Sequence, residues 1–449
     1  MSEAQPEPEQ NGKPAPGIFL IGCVNGGFVV LASSLLDPET VLPAFTMRLM
    51  EGNVLWVGLI YAALQAGRYW PQIFLSRYME TVSRMLPYYY LALALRIVTI
   101  TAAAVVLYLF AASSPQLTFG LVVVLFFMSF SAVSLGLIPF MEIVNQKVSA
   151  RTRGRFFSLR YMAGGLAAFG GSFIVKYLLS ADSGLTFPLN YTTVFLAGAA
   201  SLLISVFVFA FIKDEGRRSA KRQLSMKMHM ARGARMVSEN DNLRRLGKGR
   251  ALNRAAASLA FPFVVPYALK VLAMPEPAVG LLLSAKMLTY SMSNWLWTYI
   301  SERWGNRAVT ITCSATLIAV PVLTMVSAYL PRTIVFSLLG IGVSWRLLTI
   351  LCVAIMIGAS LSGALVGYNA FLLDILPERK RTTFLGFYYL MLLPTAVVPI
   401  IAALIVGDSN FSYTMILALL TGIISTIEVL RLKDHSVEAP QETASGIDG

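Results

Sequence analysis

The stretch LTFGLVVVLFFMSFSAVSLGLIPF, residues 117–140, carries no charged side chain. A bilayer core about 30 Å thick is crossed by about 20 helical residues, so this run can span it. Comparable stretches recur along the chain. They place spans at 17–47, 53–75, 87–111, 116–145, 156–180 and 190–212, and then at 251–274, 277–300, 308–330, 346–375, 383–406 and 410–431. In lipid every backbone polar group must be satisfied internally, which leaves helices or closed barrels. Runs this long and this evenly apolar do not suit barrel strands. The expected fold is an all-α polytopic membrane protein with about twelve transmembrane helices in two six-helix bundles. Composition agrees, with 56% hydrophobic and 13% charged residues and a mean hydropathy of +0.68. A soluble chain usually carries about a quarter charged residues.

The net charge of +13 does not form a nucleic-acid patch, because the basic residues sit in short connectors between spans, as orientation signals do. Residues 213–254 hold thirteen Lys or Arg against four Asp or Glu. Placing this stretch in the cytoplasm brings Arg77, Arg84, Arg303, Arg307 and the knots at 147–160 and 378–381 to the same side. The connectors 112–116 and 181–190 contain no Lys or Arg. Both termini are therefore expected in the cytoplasm, at a bacterial cytoplasmic (inner) membrane with anionic lipid at that face. The expected organisation is a disordered tail 1–16, a bundle 17–212, a basic linker 213–250, a second bundle 251–432 and a tail 433–449. Met226, Met228 and Met230 admit two readings, a solvated linker or a short interfacial helix.

The second bundle repeats the first. At a shift of 228, Arg151 falls on Arg379, Arg153 on Arg381, Phe156 on Phe384 and Tyr161 on Tyr389; at a shift of 226, Arg77 falls on Arg303. Parallel six-span repeats imply a cleft between two halves. With the connector SERWGNR, Ser301–Arg307, the chain resembles the major facilitator superfamily of transporters, whose connectors carry an Asp-Arg-x-Gly-x-Arg type pattern. Glu302, Arg303, Gly305 and Arg307 stand in its places, whereas the first-half connector keeps Arg77 and Arg84 but lacks the acid and the glycine. The resemblance implies alternating access and a cytoplasmic gate built on these connectors.

Ionisable residues at membrane depth are expensive and face a cavity or a partner. Asp37 and Glu39 are read as lying on one long first helix, bent near Pro38 and Pro43 and facing the cavity. The other reading ends the span at Leu36 and leaves both acids at the outer rim. Two residues are about 200° apart on a helix, so only one of them could point squarely inward. Glu142 and Asp374 occupy equivalent faces near the cytoplasmic ends of the fourth and tenth spans. With Arg77, Arg151, Arg153, Arg303, Arg307 and Arg379 they form a gate or fixed structural pairs. Lys286 is the candidate for an anionic ligand, and Arg96 is expected to have a structural partner. Asn25, Gln65, Asn294 and Asn369 are hydrogen-bonding candidates, and Trp56, Trp70, Trp345 and Tyr88–Tyr90 read as interface anchors.

Other classes fare worse. His229 and His435 lie outside the spans, and no nucleophile elbow or phosphate loop stands out. Cys23, Cys313 and Cys352 show no disulfide or metal-ligand spacing. No enzyme activity, cofactor or metal is expected. A receptor or assembly factor on the same scaffold stays open beside the leading expectation, a monomeric secondary transporter of a small molecule, coupled to H⁺.

Overall fold

The computed structural model describes residues 16–79, 82–148, 150–212, 226–375, 388–407 and 409–433. The first half contains α1 (Pro16–Leu35), α2 (Val41–Leu49), α3 (Val54–Met79), α4 (Leu86–Phe110), α5 (Pro115–Lys147), α6 (Ala150–Leu178) and α7 (Leu189–Phe209). After α8 (Met226–Glu239) the second half contains α9 (Asp241–Lys270) and α10 (Ala278–Ser327). A hairpin of β1 (Ile334–Leu338) and β2 (Ile341–Ser344) follows, then α11 (Trp345–Ile375), α12 (Val398–Val406) and α13 (Phe411–Leu430). Successive long helices alternate in direction. One end of the bundle therefore carries the linker between α7 and α9, and the opposite end carries the β-hairpin.

Among the described residues, eight helical stretches are long and apolar enough to cross a membrane by length and composition, the one ending in α12 running from Tyr388 to Val406. α10 can cross twice, because Gly305 turns the chain between its two limbs with φ +80°. That backbone region carries a steric penalty for residues with a Cβ, which accounts for the glycine in SERWGNR. α3, α6 and α9 are equally long but carry charge, including Arg68, Arg160 and Arg254. Prolines interrupt several spans, such as Pro71 in α3 and Pro262 and Pro266 in α9. Neighbouring helices can satisfy the backbone groups that such prolines free.

Three expectations need correction. The first span is not one bent helix: it stops at Leu35 and resumes at Val41. Pro38 has no N–H to donate and disfavours helical geometry at Asp37. The basic knot at 151–160 is not a connector but the opening turns of α6. The segment from Met226 is helical, and α9 begins at Asp241 within the expected linker. Asn240 caps α9 by accepting from the Leu243 N–H at 3.1 Å, which satisfies one of the free donors of the first turn. Arg245 and Arg244 hydrogen-bond Asp241 and hold its carboxyl below the usual carboxylate range. Asn242 exchanges two hydrogen bonds with the backbone of Lys433, tying the start of α9 to the chain beyond α13. The tails 1–15 and 434–449 and the linker segment 213–225 lie outside the described residues.

The β-hairpin closes through Leu339 and Gly340, both at positive φ, as a two-residue primed turn requires. The two halves meet most extensively along two helix pairs, α3 with α12 and α6 with α10. Gly58 of α3 lies so close to the Pro399 carbonyl of α12 that a Cβ there would collide with it. Gly165 of α6 packs on Ser291 of α10, and Gly280 of α10 on the backbone of Lys176 of α6. Small residues let helices approach where lipid offers no hydrophobic drive. Polar contacts tighten the hairpin end. Ser172 and Ser284 lie 2.6 Å apart, Tyr191 donates to Glu276 at 2.6 Å, and Lys176 donates to the Leu339 carbonyl at 2.5 Å.

Candidate functional site

The break between α1 and α2 creates the site. Residues 36–40 turn, and Asp37 stabilises the turn by accepting from the Thr40 hydroxyl at 2.7 Å and the Glu39 N–H at 3.2 Å. Aspartate commonly supports turns through such local bonds. Released from helical spacing, Asp37 and Glu39 converge on one cation from the other half of the chain. Lys286 Nζ lies 2.5 Å from Asp37 Oδ1 and 2.6 Å from Glu39 Oε2. Exposure is 3% at Asp37, 6% at Glu39 and 2% at Lys286, so neither acid sits at an outer rim. The helical expectation that only one could point inward fails because the helix is absent there.

Each member is held by its neighbours. Tyr61 of α3 donates to Glu39 Oε1 at 3.2 Å. Lys286 lies eight residues into α10, about 12 Å from its hairpin end at 1.5 Å per residue. Gly358 of α11 lies against the Lys286 carbonyl, leaving no room for a side chain, which holds that stretch of α10 in place. A charged group removed from water is tolerated only when paired and hydrogen-bonded, and here one ammonium serves two carboxylates.

Three arginines missed by the sequence reading lie within the spans, two of them buried. Arg254 of α9 donates to Gln65 of α3 at 2.7 Å across the halves. Arg160 of α6 donates to the Asn25 side chain at 2.6 Å and the Gly22 carbonyl at 2.9 Å, and its guanidinium lies 4.2 Å from the Phe140 ring centre. Arg68 of α3 is half-buried, 5.4 Å from the Phe130 ring centre. Each lies inside a predicted span or at its edge, so the cost of charge in lipid was the available signal. Arg254 was read as the last charge of the linker.

The remaining candidates scatter. Asn25 joins Tyr89, Ser205 and Arg160 within the first half. Tyr89 is therefore a buried partner and not an interface anchor. Arg96 reaches Ser33 at 3.4 Å. Asn294 accepts from Ser362, joining α10 to α11, and Asn369 is half-buried on α11. At the linker end, Asp374 accepts from Asn306 at 2.7 Å, and Arg307 donates to the Leu430 carbonyl at 2.9 Å. Arg303 donates to the Tyr299 hydroxyl and lies over Trp304, while Glu302 is exposed. These contacts stay within the second half. Glu142 is half-buried near the end of α5. The side chains of Arg77, Arg151 and Arg153, and all of Arg379, lie outside the described residues.

Among the described residues, long helices in two halves with a buried ion cluster where the halves meet define a polytopic helical membrane protein. Residues 248–446 match the family model described as Major Facilitator Superfamily. Solved structures match over nearly the whole chain. A bacterial homologue of the iron transporter ferroportin in an inward-facing state is 13% identical, with 93% of this chain and 99% of that chain covered at a TM-score of 0.68. A mutant of the nucleoside transporter NupG is 12% identical over 93% and 100%, at 0.69, and a D-xylose-proton symporter is 12% identical over 93% and 97%, at 0.67. No curated relative matches the sequence. The second half of the chain matches the major facilitator superfamily, and the whole chain shares the fold of these solved transporters.

Proposed function

We propose that this protein is a secondary active transporter of a small solute, working by alternating access and driven by protons through Asp37, Glu39 and Lys286. One observation carries the reading: Lys286 of the second half holds both carboxylates of the first half, at 2.5 and 2.6 Å. The hairpin end cannot open while those bonds stand. Breaking them without compensation would strand three buried charges, which is strongly unfavourable. A proton taken by one carboxylate leaves a neutral pair of one carboxylate and one ammonium, and a cluster that separates more easily. Opening and proton binding are thereby linked, as coupling requires.

The charge distribution supports an orientation with both termini and the linker in the cytoplasm of a bacterial inner membrane, so that the hairpin end faces outward. Arg77, Arg151, Arg153, Arg303, Arg307 and Arg379, with Glu142 and Asp374, then belong to the cytoplasmic gate. The structurally similar D-xylose-proton symporter supports H⁺ as the coupling ion here. The test is uptake into proteoliposomes with and without an imposed pH gradient. Asp37→Asn and Glu39→Gln should each abolish gradient-driven accumulation while leaving substrate exchange. Full gradient-driven uptake in both variants overturns the coupling role.

A further inference from the structure

Among the described residues, the side chains buried within the spans include four cations, Arg96, Arg160, Arg254 and Lys286, and two carboxylates, Asp37 and Glu39. Both carboxylates are bound to Lys286. Lys286, the sequence candidate for an anionic ligand, is thus already occupied. Arg160 is enclosed by a carbonyl, an amide and a ring within the first half. Arg96 and Arg254 each bury an Nε–H without a partner among the described residues, but Arg96 reaches only Ser33 of its own half. Arg254 is 7% exposed and lies at the junction of the halves, donating to Gln65 across it.

Its surroundings suit an anion with a flat apolar body. Tyr61 and Tyr69 project from the same stretch of α3 as Gln65, and Tyr69 stacks across the halves on Tyr389 at 6.3 Å with the rings 29° apart. Arg68 adds a second guanidinium at this level. Arg254 lies sixteen residues from Lys270, about 24 Å from the hairpin end of α9, so its Cα lies on the linker side of the Lys286 cluster. A guanidinium presents a planar fork that matches a carboxylate, and tyrosine rings offer apolar faces. A buried donor left without an acceptor is unfavourable, and a bound oxyanion would supply that acceptor.

We infer that Arg254 is the anchor for the carboxylate of an organic acid, whose apolar body lies against the tyrosines between the halves. This deepens the transport reading by naming the substrate class, and it rests on that reading for the step of translocation. The carboxylate accepts from the Arg254 fork, with Arg68 adding positive field. The Asp37–Glu39–Lys286 cluster lies on the hairpin side, with Glu39 close enough to interact electrostatically with Arg254 and Arg68.

The test is ligand-dependent thermal stabilisation of the full-length protein in detergent, at fixed pH and without any gradient, so that proton coupling plays no part. The probes are benzoate, its neutral analogue benzamide and inorganic phosphate. Benzoate should raise the melting temperature of the wild-type protein in a concentration-dependent way, and benzamide should not. Arg254→Gln should remove the benzoate response, and Arg254→Lys, which keeps the charge but loses the fork, should weaken it at least tenfold. If Arg254→Gln does not fold, the Arg254→Lys comparison decides. Equal responses to benzoate and benzamide, or an undiminished benzoate response in the arginine variants, overturns the assignment. So does stabilisation by phosphate but not by benzoate. Failure of gradient-driven uptake with intact Arg254-dependent binding would count against the coupling proposal alone.

Discussion

Replacing Lys286 by Met removes the ammonium and leaves Asp37 and Glu39 facing each other in a site 3% and 6% exposed. Breaking a buried ion pair from one side costs about 3–5 kcal/mol. An independent estimate agrees. The variant can escape the stranded charge by protonating one carboxyl and sharing that proton with the other. Protonating a carboxyl of ordinary pKa about 3.9 at pH 7 costs about 4 kcal/mol, and the cost falls by about 1.4 kcal/mol for each pH unit lost. The deficit should therefore be about 4 kcal/mol at pH 7 and about 1.5 kcal/mol at pH 5. Denaturant titration in lipid micelles, followed by helix signal at both pH values, measures it. The triple variant Lys286→Met, Asp37→Asn, Glu39→Gln carries no charge here and should recover most of the loss. A deficit that does not change with pH, or a triple variant no more stable than the single one, refutes the ion cluster as described.

Tyr191→Phe removes the hydrogen bond to Glu276 that latches the hairpin end; in this half-buried setting it is worth about 1 kcal/mol, about fivefold in population. Spin-label distances across that end should show the widened fraction growing by about that factor, and an unchanged distribution rejects the latch. Glu142→Gln with Asp374→Asn should favour the form open at the linker end, although each exposed pair contributes only about 0.2–1 kcal/mol. Distances between labels on α5 and α11 report it, and no change removes both acids from the gate. Cysteines introduced at Ser219 and Ser436 should resist impermeant thiol reagents applied to intact cells. Efficient labelling at either site reverses the orientation.

What the sequence determined by itself follows from costs that each segment meets alone. A run such as 117–140 is long enough and apolar enough to span lipid whatever its neighbours are, and α5 extends over it at Pro115–Lys147. The two-bundle plan was legible in the repeat of basic connectors, and the turn at Gly305 in the single glycine of SERWGNR, because backbone sterics act within one residue. That Asp37, Glu39 and Lys286 would need partners at membrane depth was legible too, since buried charge is costly in any fold. Their meeting was not. Lys286 lies 249 residues from Asp37, and their contact depends on the break after Leu35 and on how α10 packs against the first half. Local spacing even pointed the wrong way, because it assumed a helix that Pro38 ends. Arg254 stayed hidden for a related reason: its charge resembled the last residue of a basic linker until α9 buried it opposite Gln65. Helix formation and membrane insertion are priced residue by residue, whereas the pairing of buried charges depends on which faces the two halves turn toward each other, and only tertiary packing decides that.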